Sequence, residues 1–177
     1  MYRHVFAWFA AVILAVGPVT SSFAISPFQP LRDVSHMLQG LQSACSGTLI
    51  ADRQYLTNAH CITFESLYVG DYPVLSIIKL DQELDLALLE VNMFGRSVPF
   101  ASKTPDIDTP VVVVGYPLGV AQVVTEGRLQ AIHADGNKYL VSAQATYGNS
   151  GSGVFVMEDG VWKLVAVVNS GYQTNGG

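Results

Sequence analysis

Residues 44–61, ACSGTLIADRQYLTNAHC, contain two short apolar runs and end with a histidine beside a cysteine. The runs, residues 44–51 and 55–57, are separated by the three polar residues Asp52-Arg53-Gln54. Short runs rich in Leu, Ile, Thr and Tyr with a polar break between them are typical of neighbouring β-strands. His60 directly follows the second strand, and Cys61 can connect it to the first strand through Cys45.

The rest of the chain repeats this pattern. Further runs rich in Val, Ile, Leu and Tyr occupy residues 67–69, 74–80, 84–91, 111–116, 122–133, 139–145, 154–157 and 162–168. Regular spacing with little helical periodicity predicts an all-β sandwich or barrel. We expect a short helix within residues 31–42. Residues 97–110 contain three prolines and no strong pattern, so they are the candidate linker between two β halves.

The composition is that of one compact domain. The chain has 177 residues, of which 50% are hydrophobic and 13% charged, which argues against disorder. The net charge of -5 and the lack of a basic patch argue against a nucleic-acid partner.

The first 24 residues have the pattern of a signal peptide. Arg3 precedes an apolar stretch, residues 5–17, and Ala24 ends a small-residue cleavage site. A stretch of this length is short for a membrane span, so cleavage after Ala24 is expected, with an uncleaved anchor as the alternative. The mature chain, residues 25–177, would be secreted or periplasmic and would not insert stably into a membrane.

Cys45 and Cys61 are the two cysteines of the sequence. In an exported protein an even pair normally forms a disulfide, and two unpaired buried thiols are the alternative. Their spacing fits no metal motif, and no metal ion is expected.

Three residue types that can perform acyl transfer occur in separate motifs: His60 in TNAHC, Asp85 in LDLALL and Ser150 in GNSGSG. A serine hydroxyl needs an adjacent base, and histidine is well suited to take and return its proton. A carboxylate then fixes the imidazole tautomer. Each residue alone has an ordinary structural explanation, but the three together favour catalysis.

These motifs resemble those of the trypsin/chymotrypsin-fold serine peptidases, which also have the order His, Asp, Ser. The serine motif is most similar to that of HtrA/Deg-type peptidases and staphylococcal glutamyl endopeptidases, which have Asn before the serine. VVVVGYPLG at 111–119 is also HtrA-like, and LVAVVNSG at 164–171 resembles the strand that lines the substrate cleft. The resemblance covers residues 43–171.

The resemblance implies two six-stranded antiparallel β-barrels, here at about residues 28–97 and 110–177, with the site between them. Ser150 would be the nucleophile, His60 the general base and Asp85 the orienting carboxylate. The backbone N–H groups of Gly148 and Ser150 would form the oxyanion hole. Cys45 and Cys61 match the disulfide beside the catalytic histidine, and no cofactor is implied.

Two other residues compete for these roles. Ser152 stands where the family often has a second glycine, so we assign it a structural role. Asp81 lies outside the aspartate motif.

The sequence departs from the family at three places. Asn149 replaces the aspartate that pairs with a new N-terminus in trypsin-type zymogens, so no activation of that kind is expected. Asn169 replaces a serine that supports the aspartate. Relatives continue after residue 171 with one more strand, so the sequence is expected to be a fragment or to have an open pocket and a truncated second barrel.

By offset from Ser150, the substrate pocket is expected to contain Gln144, Ala145, Val168 and Gly171. None of these is charged, which favours small or medium uncharged residues before the cut. The expected partner is a protein or peptide substrate, and the sequence does not indicate the oligomeric state. The alternatives are an impaired relative that only binds peptides and, less well supported by the β-rich pattern, an esterase.

Overall fold

The computed structural model describes residues 26–41, 43–63 and 66–169. The predicted signal peptide at residues 1–24 and the pocket residue Gly171 lie outside the described residues. No helix among the described residues is long and apolar enough to cross a membrane.

The first half of the chain forms a closed antiparallel barrel. Its strands are hydrogen-bonded in the order β1-β2-β3-β6-β5-β4. Their bounds are β1 Ser35–Gln39, β2 Ala44–Ala51, β3 Gln54–Thr57, β4 Tyr68–Val69, β5 Tyr72–Asp81 and β6 Leu86–Val91. The two apolar runs at residues 44–51 and 55–57 therefore form the neighbouring strands β2 and β3, as predicted.

The second half forms a five-stranded antiparallel sheet with the order β11-β10-β7-β8-β9. Its strands are β7 Pro110–Gly115, β8 Val123–Ile132, β9 Tyr139–Val141, β10 Gly153–Glu158 and β11 Val161–Val167. A closed six-stranded barrel followed by a second sheet confirms the all-β, chymotrypsin-like fold.

The Val run of β7 is buried on both faces because it separates two hydrophobic clusters. Val112 and Val114 pack in the larger cluster, together with residues of the first barrel, whereas Val111 and Val113 pack in the smaller one. A strand covered on both sides reads as a continuous apolar run rather than an alternating one. The larger cluster also contains Phe155 and so joins the two halves.

The N-terminal helix differs from its prediction. Helix α1, Gln29–Val34, begins earlier than expected and ends where β1 begins. The segment predicted as helical therefore contains the last part of α1 and all of β1. Leu31 and Val34 are the buried residues of α1, and β1 pairs with both β2 and β4. This pairing closes the barrel.

The predicted linker at 97–110 runs from the barrel to β7 and contacts the second sheet on its way. The N–H of Leu164 donates to the Pro99 carbonyl, and the N–H of Ala101 donates to the Leu164 carbonyl, both at 2.9 Å.

Candidate active site

His60 and Asp85 form a hydrogen-bonded pair. The Nδ1 atom of His60 lies 2.7 Å from Oδ2 of Asp85, and the His60 backbone N–H donates to Oδ1 at 2.9 Å. The His60 side chain is 47% exposed and that of Asp85 21% exposed. Because Asp85 occupies Nδ1, the other ring nitrogen of His60 remains available for a reacting group.

The chain around both residues is shaped to bring them together. His60 lies in a 3₁₀ turn, Ala59–Cys61, directly after β3. The Asp85 carbonyl accepts hydrogen bonds from the Ala59 N–H at 3.2 Å and from the side-chain amide of buried Asn58 at 2.9 Å. Asp85 has φ of 53°, a left-handed conformation that Asp adopts more readily than most residues. Both its backbone and its carboxylate hold the histidine turn.

Cys45 and Cys61 form a disulfide, so the predicted pairing is confirmed and the free-thiol alternative is wrong. It ties β2 to the turn that carries His60. A ring nitrogen of His60 and the two sulfur atoms lie within 4.8 Å of one another. This group is not a metal centre, because both sulfur atoms are used in the disulfide.

Ser150 lies on a tight turn between β9 and β10, in contact with the histidine turn. The sulfur of Cys61, next to His60, lies 3.9 Å from the Ser150 carbonyl oxygen. Two glycines of this turn, Gly148 with φ of 88° and Gly151 with φ of 86°, are in the left-handed region, which favours glycine. The structure thus brings the turns of His60, Asp85 and Ser150 together.

The turn leaves two backbone donors free. The N–H groups of Gly148 and Ser150 donate to no acceptor in the described part of the chain. The preceding carbonyls point elsewhere: Tyr147 accepts from the Leu118 N–H at 2.6 Å, and Asn149 accepts from the Ser152 N–H at 2.9 Å. In a trans peptide the C=O and N–H groups point in opposite directions. The Gly148 N–H therefore points away from Leu118, and the Ser150 N–H points away from Ser152. Paired free donors of this kind can stabilise an oxyanion.

Ser46 is a site residue that the sequence reasoning missed. It is fully buried on β2, and it contacts the serine turn at two points. Its N–H donates to the Ser150 carbonyl at 2.7 Å, and its Oγ donates to the Gly148 carbonyl at 2.8 Å. The single sequence signal was a small polar residue inside an apolar run, because its partners lie about a hundred residues away.

Ser152 and Asp81, the alternatives to Ser150 and Asp85, make other contacts. Ser152 is fully buried, and its hydroxyl donates to Oδ1 of the buried Asn149 at 3.3 Å. Gly115 leaves no room beside it, since a Cβ there would collide with the Ser152 hydroxyl. Asp81 instead accepts the Leu84 N–H at 2.9 Å in the turn after β5. Asn169 is exposed.

Of the predicted pocket residues that the structure describes, Val168 contacts the serine turn. Val168 is buried, and its carbonyl accepts the Gly151 N–H at 2.8 Å. Ala145 is half-buried, and Gln144 is exposed with its carbonyl bonded to the Thr125 hydroxyl at 3.0 Å.

Residues 45–167 match the family model of the trypsin-like peptidase domain. The chain is 26% identical over 168 residues to the serine endoprotease DegS of Salmonella typhimurium, covering 76% of this chain and 45% of that protein. Against DegS of Escherichia coli K12 the identity is 28% over 146 residues, covering 68% and 39%. The chain thus spans less than half the length of these curated relatives.

The fold is also similar to that of solved structures. The serine endoprotease from Yersinia pestis superposes with a TM-score of 0.70 at 22% identity, over 84% of this chain and 59% of that one. The active form of the Rv3671c protease from M. tuberculosis gives a TM-score of 0.66 at 21% identity, over 96% and 85%.

Proposed function

Because this chain belongs to the trypsin-like peptidase domain family and is an HtrA-like, trypsin-fold serine peptidase, we propose that it is an exported endopeptidase that cuts proteins or peptides through an acyl-enzyme. One observation carries the proposal. The His60–Asp85 pair, at 2.7 Å, lies in a turn whose Cys61 contacts the Ser150 carbonyl. The serine turn presents two N–H groups without an acceptor among the described residues. A binding module would have no use for this combination.

In the proposed mechanism Ser150 Oγ attacks the substrate carbonyl while His60 takes its proton. Asp85 holds the imidazole in the tautomer with its proton on Nδ1 and stabilises the imidazolium. The N–H groups of Gly148 and Ser150 stabilise the negative oxygen of the tetrahedral intermediate. His60 then protonates the leaving amine, and water, activated by the same histidine, hydrolyses the acyl-enzyme. This chemistry uses no cofactor.

The uncharged pocket supports a preference for small or medium uncharged residues before the cut. Gln144, Ala145, Val168 and Gly171 would line it. A peptide-library profile dominated by Arg, Lys or Glu at that position would contradict this part of the proposal.

Export is proposed from the sequence pattern of residues 1–24 and from the disulfide, a bond that persists in oxidising compartments. Residues 25–177 would then be the peptidase domain of a secreted or periplasmic protein. N-terminal sequencing of the protein recovered outside the cytoplasm should begin at residue 25, and recovery of the intact N-terminus in the membrane fraction would contradict cleavage.

A fluorophosphonate probe tests the activity, because it reacts covalently only with an activated serine. We expect labelling of the protein that vanishes in Ser150→Ala. Ser152→Ala is the matched control: it lacks a nearby serine hydroxyl that is buried against Asn149, and it should retain labelling. Absence of labelling in all three proteins would overturn the proposal and favour a peptide-binding relative without activity.

A further inference from the structure

All of the polar groups of Ser46 are hydrogen-bonded, and two of them, the backbone N–H and Oγ, bond the serine turn. Its N–H donates to the Ser150 carbonyl, its Oγ donates to the Gly148 carbonyl, and the same Oγ accepts the Tyr116 N–H at 2.8 Å. Its carbonyl accepts the hydroxyl of Thr57 at 2.7 Å. With 0% of its surface exposed, Ser46 has no competing water, so these bonds are held in a site of low dielectric.

The two carbonyls that Ser46 holds belong to the two residues whose N–H groups are free. Gly148 and Ser150 each present an N–H to the site while Ser46 holds the carbonyl of the same residue. Fixing these two carbonyls fixes the peptides 148–149 and 150–151, which flank the peptide that carries the Ser150 N–H. The Gly148 N–H lies in the peptide just before them. Gly148, with φ of 88°, needs this most, because a glycine changes conformation at little steric cost.

Resting on the proposed function, we propose that Ser46 is a positioning residue for the oxyanion hole, through which the first barrel sets the direction of the two N–H donors. The Ser46 hydroxyl touches neither the substrate nor the reacting atoms. It acts by holding the Gly148 carbonyl in place, and its own orientation is fixed by the Tyr116 N–H. Without the hydroxyl the Gly148 carbonyl loses its bond to β2. The peptide 148–149 is then held only by the Asn149 N–H, which donates to the Thr146 carbonyl at 3.0 Å, and the N–H groups on either side of it lose their alignment.

The first test compares Ser46→Ala with Thr48→Val. Thr48 lies two residues further on the same strand, is also fully buried, and its hydroxyl has no hydrogen-bond partner among the described residues. Both variants remove one buried hydroxyl from β2. We expect Ser46→Ala to lower kcat/KM on a peptide substrate about 10–100-fold, less than the ~10²–10³ loss for removing an oxyanion donor itself. Thr48→Val should stay within about twofold of the unmodified protein.

A second readout separates positioning from a merely structural role. A peptide boronate forms a tetrahedral adduct with Ser150 whose oxygen occupies the oxyanion hole, whereas an unreactive peptide of the same sequence does not use the hole. Ser46→Ala should weaken boronate affinity about 10–100-fold. Binding of the unreactive peptide, measured in the Ser150→Ala background, should not change when Ser46→Ala is added. Equal losses for both ligands would overturn the inference.

Ser46→Gly and Ser46→Thr complete the series. Ser46→Gly also lacks the hydroxyl but keeps the backbone N–H, so it should reproduce the loss seen in Ser46→Ala, while Ser46→Thr should retain most of the boronate affinity. If the unmodified protein forms no boronate adduct, the proposed function fails. If it does, and a folded Ser46→Ala or Ser46→Gly binds the boronate equally well, the positioning role alone is overturned.

Discussion

Gly151 and Gly160 have similar left-handed backbone conformations, with φ of 86° and 76°, but very different surroundings. A Cβ at Gly151 would collide with the Ser46 carbonyl and the Thr57 hydroxyl, whereas one at Gly160 would meet nothing within 4 Å. Comparing alanine substitutions at the two glycines therefore separates the cost of a strained backbone from the cost of a steric collision at the turn that carries Ser150.

We predict that Gly160→Ala lowers the free energy of unfolding by about 1–2 kcal/mol, the cost of a left-handed alanine. Gly151→Ala should lower it by about 1–3 kcal/mol more, because the added methyl group must displace backbone. Urea unfolding measures both variants. Equal losses would show that the serine turn can move away from β2, contrary to the contacts seen there.

His36 contributes a pH dependence to stability. Burial lowers the pKa of His36, and the nearby Asp33 opposes this in part. Its Nε2 is buried without a hydrogen-bond partner among the described residues. The unfolded chain therefore binds a proton more readily than the folded one, so the contribution is present above about pH 6.5 and is lost as pH falls below that value.

His36→Gln should flatten this dependence. The drop in the free energy of unfolding between about pH 7.5 and about pH 5 should be smaller in the variant than in the unmodified protein. Urea titrations at several pH values give the two slopes, and carboxylates common to both proteins cancel in the comparison. Identical slopes would mean that His36 does not titrate differently in the two states.

At the level of elements, the disulfide joins β2 to the histidine turn across 16 residues. Closing a loop of this length is worth about 3 kcal/mol by constraint of the unfolded chain. A double Cys45→Ala/Cys61→Ala variant should lose about this much in urea unfolding. It should also lose activity, because the turn that carries His60 then loses its covalent link to β2. A stable variant with full activity would contradict the positioning role of the bond.

Gln122 connects helix α1 and strand β1 to the second half of the chain. Its amide nitrogen donates to the carbonyls of Arg32 and Ser35 at 3.0 and 2.8 Å, and its oxygen accepts from the Arg32 guanidinium at 3.1 Å. The same amide nitrogen lies 3.3 Å from the Tyr116 hydroxyl; burial raises the pKa of Tyr116, and this hydrogen bond opposes the rise.

Gln122→Ala should lower the free energy of unfolding by about 1–3 kcal/mol, since it leaves buried carbonyls unpaired. Gln130 is an exposed glutamine on strand β8, which begins directly after Gln122. Gln130→Ala is the control and should change stability by less than about 0.5 kcal/mol. Urea unfolding of both proteins decides the comparison. Similar values would show that the amide contacts contribute nothing net.

The strands were predictable where local pattern and tertiary environment agree. Strand β2 has the predicted bounds, and β7 was recognisable from its Val run. Strand β1 was not, because SHMLQ at 35–39 has neither alternation nor β-branched residues and follows a short helix. Its extended form depends on pairing with β2 and β4, and such non-local pairing overrides weak local preference.

At the level of the whole molecule, the two halves share one hydrophobic cluster. Phe155 of β10 is fully buried in it beside residues of the first barrel such as Tyr55 and Leu49. We predict that Phe155→Ala lowers the free energy of unfolding by about 3–5 kcal/mol. Both the unmodified chain from residue 25 and the Phe155→Ala variant should unfold in one step. Trp162 fluorescence and far-UV circular dichroism should then give the same midpoint for each protein. Two separate midpoints would show that the halves unfold independently.

The candidate site could be predicted from the sequence where its residues lie in local motifs. His60, Asp85 and Ser150 occur in local motifs, so their neighbourhood could be inferred from resemblance before their geometry was known. Ser46 belongs to no such motif, because its significance depends on carbonyls about a hundred residues further along the chain. Contacts between distant segments leave little trace in one sequence.

The buried hydroxyl of Ser46 makes the serine turn depend on how the two halves of the chain meet. The proposed oxyanion donors belong to the second half, and the hydroxyl that bonds the Gly148 carbonyl and accepts the Tyr116 N–H belongs to the first. The proposed site is therefore complete only when the two halves are docked, so a substitution that loosens their contact should lower activity without changing the cleavage preference.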